Sequence, residues 1–378
     1  MTAPFRDHFP IFEHTAYLNS CSCGALSREV EGAYQDYLRS RHQKGADWET
    51  WVGKNETVRD QFARLIHARP NEIALTTSAS ASLNAVASAL HPDGGRDKIV
   101  LTDFEFPTVG QIWLAQQARG FEVAFADTVE GELSLEQMDR LIDDRTRLVS
   151  LTHVCYRNGA LSDVAAVVEM ARARGALVLL DAYQALGAVP IDVKALDVDF
   201  LIGGSLKYLL ASAGLGFLYV RQGLLDDLAP TVTGWFGQED IFAMDHRRHE
   251  PAQGARRFEA GTPPVPSLYA AEAGLDLLMT VGMETVRRHV LGLTERLKTG
   301  VKQVGGVLAT PDDPARHGAM IAIRSTDDHT LVERLKRHGV VTSCRDGNVR
   351  VSPHFYNSDM DIDACLEALS AERALLAG

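Results

Sequence analysis

Long runs of lysine or arginine, membrane-length apolar stretches and cysteine pairs at metal-site spacing are all missing from this chain. Each absence removes a class of function. With no basic run and a net charge of −12, the surface is ill suited to nucleic acid or an anionic membrane. A bilayer crossing needs about 20 consecutive apolar residues, and none occur. The five cysteines (Cys21, Cys23, Cys155, Cys344 and Cys365) are odd in number and scattered, which argues against a disulfide framework. Cys21 and Cys23 form a Cys-x-Cys pair with no second pair at zinc-finger spacing, so no metal site is expected. The opening MTAPFRDHFP has neither a basic nor an apolar leader region. A reduced, cytoplasmic protein is therefore expected. No Gly-x-Gly-x-x-Gly follows an early strand, which weighs against a dinucleotide-binding or other non-catalytic nucleotide-binding domain.

What is present is a chain with 46% hydrophobic and 23% charged residues, long enough for one large domain and a smaller one. From about residue 70 to 225, short β-rich runs alternate with helical ones, the pattern of an α/β layered domain with parallel strands. Strands are expected at 73–77, 98–102, 123–126, 147–152, 177–181, 200–203 and 216–220, with helices at 82–90, 110–119, 134–141 and 163–174. After the Pro/Gly-rich EAGTPPVPS (259–267), one long helical segment from Leu268 to about Gln303 leads to a smaller α+β section. Strands there are expected near 320–324 and 349–352, and the first 60 or so residues read as mostly helical.

Three stretches carry chemistry. GGSLKYLL (203–210) places Lys207 where an apolar strand runs out into a turn. A lysine there either snorkels to solvent or is an amine desolvated into a nucleophile and base. LLDAYQALG (179–187) ends an apolar strand with Asp181, at the edge where open α/β sheets bind ligands; the alternative is a helix cap. The interval of 26 residues between Asp181 and Lys207 makes them ends of neighbouring strands facing one pocket. TTSASASLN (76–84) opens a helix through small residues, leaving N–H groups for a phosphate or a simple Ser/Thr cap. Phosphate cradle, carboxylate and pocket lysine together are what pyridoxal 5′-phosphate chemistry requires.

With that set in place, the chain resembles, over nearly its whole length, the class V aminotransferase group of fold-type I pyridoxal phosphate enzymes. The group includes cysteine desulfurases, selenocysteine lyase, kynureninase and isopenicillin N epimerase. The resemblance is carried by residues 179–220, DFEFPTV (103–109), THVCYRNGALSDV (152–164), GWFGQE (234–239), RFEAGTPPVPS (257–267) and NVRVSPHFYN (348–357). It implies a large, mostly parallel seven-stranded sheet domain (21–265), a linking helix and small α+β domain (266–378), and an N-terminal arm (1–20) near the substrate entrance. It implies Lys207 as the Schiff-base lysine, Asp181 as partner of the pyridinium nitrogen, Gln184 as donor to the ring oxygen and Phe106 as the stacking ring. Ala79, Ser80 and Ser205 would touch the phosphate, while Tyr156, Trp235 and Thr262 complete the cofactor set. Thr262 would act across the interface of a homodimer with shared sites. Arg350, with Asn19, would hold the carboxylate of an L-amino acid substrate.

Departures from the group limit the reaction. Desulfurases have a histidine before the lysine and two asparagines where this chain has Leu206, Cys155 and Tyr156. Cys344 precedes Arg350 by 6 residues, unlike their persulfide cysteine, and reads as a small residue at a strand end. The N-terminal loop carrying Cys21 and Cys23 approaches substrate in relatives. The expectation is a lyase that forms a Cα carbanion and expels a Cβ substituent, as in kynureninase and selenocysteine lyase. Transamination is the alternative, followed by epimerisation or non-catalytic cofactor binding.

Overall fold

The computed structural model describes residues 5–377, so residues 1–4 of the expected arm lie outside it. Strand β1 (Ala16–Tyr17) precedes the seven strands of the large sheet: β2 (Ile73–Thr76), β3 (Lys98–Thr102), β4 (Glu122–Ala126), β5 (Thr146–Thr152), β6 (Leu177–Asp181), β7 (Phe200–Gly204) and β8 (Gly216–Val220). Four more follow: β9 (Ile321–Arg324), β10 (Val340–Val341), β11 (Ser343–Arg345) and β12 (Asn348–Val351). The helices are α1 (Arg28–Lys44), α2 (Trp48–Leu65), α3 (Ala79–Ala89), α4 (Pro107–Ala115), α5 (Leu135–Leu141), α6 (Val164–Ala173), α7 (Val265–Val281), α8 (Met283–Gln303), α9 (Asp328–Arg337) and α10 (Asp359–Ala371).

The large sheet has the order β2-β8-β7-β6-β5-β3-β4. Strand β8 is antiparallel to both neighbours and every other pair is parallel. Strands β2, β3, β5, β6 and β7 thus end at one edge, which is where the sequence placed its chemistry. Alternation along each strand builds a core on both faces. Ile99, Leu101, Leu148 and Leu179 pack on one side with α3 residues Leu83 and Val86, while Val100, Val149, Val178 and Leu180 pack on the other with Val167 of α6. Each such fully buried side chain is worth about 1.5–3 kcal/mol.

The seven large-sheet strands fall within a residue or two of their expected bounds, but the helices differ. Helix α3 starts at Ala79 rather than Ser82, because Ser78 Oγ accepts the Ala81 N–H at 3.1 Å and so caps the helix earlier. Helix α4 starts at Pro107, whose fixed φ suits the first turn, and a 3₁₀ turn takes over at Gln116. The long helix expected from 268 to about 303 is two helices, broken at Gly282, whose φ of 82° ends α7.

The small sheet runs β11-β12-β9, all antiparallel. Ala16 and Tyr17 pair with β10, and Asn19 bridges to Ser352, so the N-terminal segment runs alongside this sheet. The helical N-terminal region packs on α7 through Trp51, Val265 and Tyr269.

Candidate active site

At the shared edge, the ends of β2, β3, β5, β6 and β7 surround a cavity of about 290 Å³. Its wall includes Ala79, Ser80, Phe106, Tyr156, Asp181, Gln184 and Lys207. Seven of the residues singled out in the sequence thus meet, although they span 129 positions of the chain.

Local geometry explains why the lysine is there. A Cβ on Gly204 would lie 2.6 Å from Tyr183 Oη, and one on Gly203 would lie 2.3 Å from Leu186 Cδ1. The two glycines therefore let the turn after Asp181 lie directly on the end of β7. The Tyr183 ring then sits under the Lys207 amine, 4.3 Å from Nζ to the ring centre. A Cβ on Gly24 would come within 2.4 Å of the Lys207 carbonyl, so the loop bearing Cys21 and Cys23 also closes against this turn. Burial lowers the Lys207 pKa to about 8, against the opposing pull of Cys21 and Asp181.

Asp181 is 8% exposed and accepts the Tyr183 N–H at 2.9 Å. Burial raises its pKa, with the Tyr183 N–H and Lys207 working the other way. Behind it lies Glu105, which accepts from Thr152 N–H (3.0 Å), Thr152 Oγ1 (2.8 Å) and Thr102 Oγ1 (3.1 Å). Thr152 is the cross-strand partner of Asp181. Burial first, and then the Asp181 charge, push the Glu105 carboxyl up to about 8.

A pyridoxal phosphate fits these residues. The first N–H groups of α3, those of Ala79 and Ser80, have no acceptor within the helix, and Ser80 Oγ lies 3.4 Å from Thr108 Oγ1. Phe106 offers a ring face 6.0 Å from Lys207 Nζ and meets Tyr156 edge-on at 5.1 Å. Gln184 Oε1 is buried without a partner. Its Nε2 donates one N–H to Cys21 O at 3.1 Å, which leaves the second N–H of the amide as well as Oε1.

The structure does not bring the other expected residues to the cavity. Ser205 is 1% exposed, and its hydroxyl donates to Ser212 O at 2.8 Å, closing the turn after β7. Trp235 stacks edge-on against Trp48 and Phe236 and lines a separate depression with Asp240 and Arg248. Thr262 is exposed on the loop before α7. Asn19 is held in its bridge to Ser352, beside the small sheet. Arg350 lies just outside the wall and donates to Tyr156 O at 2.8 Å. Missed in the sequence were Tyr183, Thr108 and Glu105. Each sits within two residues of a position that was identified, and adjacency was the only signal for them. Cys21 is buried, 3.7 Å from Ser343 Oγ, whereas Cys23 is exposed.

The amine, the buried carboxyl and the helix N-terminus at one sheet edge define a pyridoxal phosphate-dependent enzyme of fold-type I. The chain belongs to the class V aminotransferase family, whose model, described as Aminotransferase class-V, matches residues 16–365. It is 37% identical over 368 residues to a Bacillus subtilis protein named as an uncharacterized aminotransferase, covering 97% of both chains. It is 30% identical to a kynureninase of Pseudomonas fluorescens, covering 92% of this chain and 86% of that one. Among solved structures it is similar in fold to a cysteine desulfurase from Thermococcus onnurineus, with a TM-score of 0.88, 24% identity and 99% of each chain covered. No helix among the described residues is long and apolar enough to cross a membrane.

Proposed function

We propose that this enzyme acts on an L-amino acid and expels a substituent from its Cβ. The observation that carries the amino-acid part is Arg350. The residue is 4% exposed, and its guanidinium donates to Tyr156 O, Ser343 Oγ (3.0 Å) and Ser22 Oγ (3.3 Å) and leaves Nε without a partner. Among the described residues no carboxylate pairs with it. Asp346, its nearest sequence candidate, lies 3.3 Å from Arg157 instead. A buried cation without a counter-ion is costly, and a substrate α-carboxylate supplies the missing charge in the geometry a guanidinium fork accepts.

When bound, pyridoxal phosphate supplies an electron sink for the pair left at Cα. Burial that lowers the Lys207 pKa to about 8 makes its neutral form far more accessible near neutral pH than that of an exposed lysine, which suits Nζ to take the proton from Cα and return it. Asp181, at the end of β6, would hold a proton at the pyridine nitrogen. Phe106 would cover the ring, and Ala79, Ser80 and Thr108, on the same cavity wall, would hold the phosphate. Arg350 would hold the substrate through its carboxylate and so fix which bond at Cα is presented for cleavage.

The identity with a protein named kynureninase supports Cβ elimination. Transamination is the second reading, favoured by the identity with a protein named as an aminotransferase. Assaying a panel of L-amino acids for alanine, keto acid and released Cβ fragment separates the two: keto acid without a released fragment replaces the lyase by a transaminase. Arg350→Lys tests the substrate class. It is expected to lower kcat/KM for α-amino acids by about 10²-fold while sparing reaction with a simple amine. Equal losses for amine and amino acid would remove Arg350 from carboxylate recognition. A homodimer in which Thr262 and Trp235 face the partner's cofactor belongs to the same reading. The exposed Phe242 and Met244 on the loop after Trp235 are apolar surface of the kind an interface covers. Light scattering that returned a monomer would remove it.

A further inference from the structure

We propose that Asp328, His329 and Cys344 bind a thiophilic divalent cation, zinc above all, on the side of the small sheet turned away from the active site. The three donor atoms come from two elements, the first turn of α9 and the middle of β11, and all lie within 4.8 Å of one another. Side-chain alternation along β11 sends Ser343 towards Arg350 and Cys344 towards α9. The cluster is therefore separate from the pyridoxal phosphate pocket although it shares a strand with the substrate-binding side.

Spacing is the main argument. Zinc bonds of about 2.3 Å to sulfur and 2.0–2.1 Å to nitrogen, at a tetrahedral angle, put the two donors about 3.6 Å apart. Cys344 Sγ and His329 Nδ1 are 3.6 Å apart. Asp327, not Asp328, caps α9, accepting from Thr330 N–H at 3.0 Å, so Asp328 is left to face the thiol. Thiolate and carboxylate together neutralise a dication. They also offset what opposes it, the positive end of the α9 dipole and the neighbouring Arg345. Cys344 is half-buried and His329 exposed, which leaves a fourth position open to water, the three-ligand pattern of zinc sites that hold an exchangeable ligand. Cys, His and Asp are a donor set that suits zinc or cobalt over magnesium or calcium. A bound ion would tie β11 to α9 directly behind Ser343.

The test uses the cofactor-loaded enzyme, stripped with a chelator and titrated with Co²⁺ and then Zn²⁺. The expected result is one ion per chain, with thiolate charge-transfer absorption and the d–d bands of tetrahedral cobalt at longer wavelength than the cofactor absorbs. Zn²⁺ should displace these bands. Cys344→Ser and His329→Ala should each weaken binding by more than the roughly 10–100-fold that loss of an outer-sphere partner costs. Asp328→Asn should weaken it less. Unchanged cofactor absorbance and circular dichroism show that each variant folds. Absence of the cobalt bands in the wild type, or bands that persist in Cys344→Ser, would overturn the proposal. So would weak binding at several equivalents that none of the three changes affects.

Discussion

Two buried arginines, Arg59 and Arg350, differ in one respect that separates architecture from function. Arg59 is 3% exposed and fully paired: Nη1 donates to Glu259 Oε1 and to Ile73 O, both at 2.6 Å, and Nε and Nη2 meet Glu56 at 3.0 and 3.1 Å. Glu259 also accepts the Leu75 N–H at 2.8 Å, so the pair fastens α2 and the 255–259 turn to β2. Arg350 is equally buried but meets only a carbonyl and two hydroxyls. A buried charge satisfied within the chain holds the fold, and one left unsatisfied is the feature on which the proposed carboxylate recognition rests. The same reading applies to the cavity, where Lys207 and Asp181 are both driven towards their neutral forms by burial.

The strongest way to break this contrast is Lys207→Ala. Turnover should fall by more than the roughly 10²–10⁴-fold ascribed to a general acid–base group, because the same nitrogen is also the cofactor's anchor. Fold and non-covalent cofactor binding should survive, as read by circular dichroism and by cofactor recovered after dialysis. Normal turnover in this variant would dissolve the site assignment.

Asp181→Asn comes next. It keeps shape but loses the charge that holds a proton on the ring nitrogen, and kcat should fall by about 10²–10³-fold with cofactor still bound. A loss below about tenfold, near 1.4 kcal/mol, would make Asp181 no more than a cap for the Tyr183 turn.

The arginines themselves give a stability contrast. Arg59→Met leaves the buried Glu259 charge without its counter-ion, with only the Leu75 N–H still bonded to it, and should destabilise the protein by about 3–5 kcal/mol, leaving turnover per folded molecule unchanged. Arg350→Met strands no carboxylate and should shift the urea midpoint by the equivalent of less than about 1 kcal/mol. If the two variants were equally unstable, the distinction between paired and unpaired charge would fail.

The smallest effect concerns pH. The folded-state pKa of Lys207 is lowered from 10.5 to about 8, so in cofactor-free enzyme its buried ammonium is a penalty present in full below pH 8. Between pH 8 and 10.5 the folded protein holds fewer protons than the unfolded chain, and stability rises with pH through this group. Lys207→Met should therefore be more stable than wild type at pH 7, with the difference fading towards pH 10.5. A difference that stayed constant with pH would show the amine to be solvated.

Much of the large sheet could be read in the sequence because its strands are short apolar runs ended by glycine, proline or a lone polar residue. Asp181 and Lys207 stand at or just beyond such ends, so both the strands and the aspartate–lysine pair that lines the cavity were visible without coordinates. Local pattern also carried the strand-to-helix opening at 76–84, in which Ala79 and Ser80 lie, whereas Phe106 was reached through the family resemblance of residues 103–109. The break at Gly282 was hidden, since apolar periodicity continues across it and only the positive φ of that glycine separates α7 from α8. Glu105 and Tyr183 were hidden for a different reason. Their significance lies in what they touch, Thr152 across the sheet and the Lys207 amine above the ring, and such contacts have no signature along the chain. Ser205 shows the reverse: a hydroxyl two residues from the lysine is turned by the fold onto a backbone carbonyl. Residue type and spacing determined which groups could do chemistry. Burial and partnering, which exist only once distant segments pack together, decided that Arg59 has two carboxylates as partners while Arg350, equally buried, has a carbonyl and two hydroxyls.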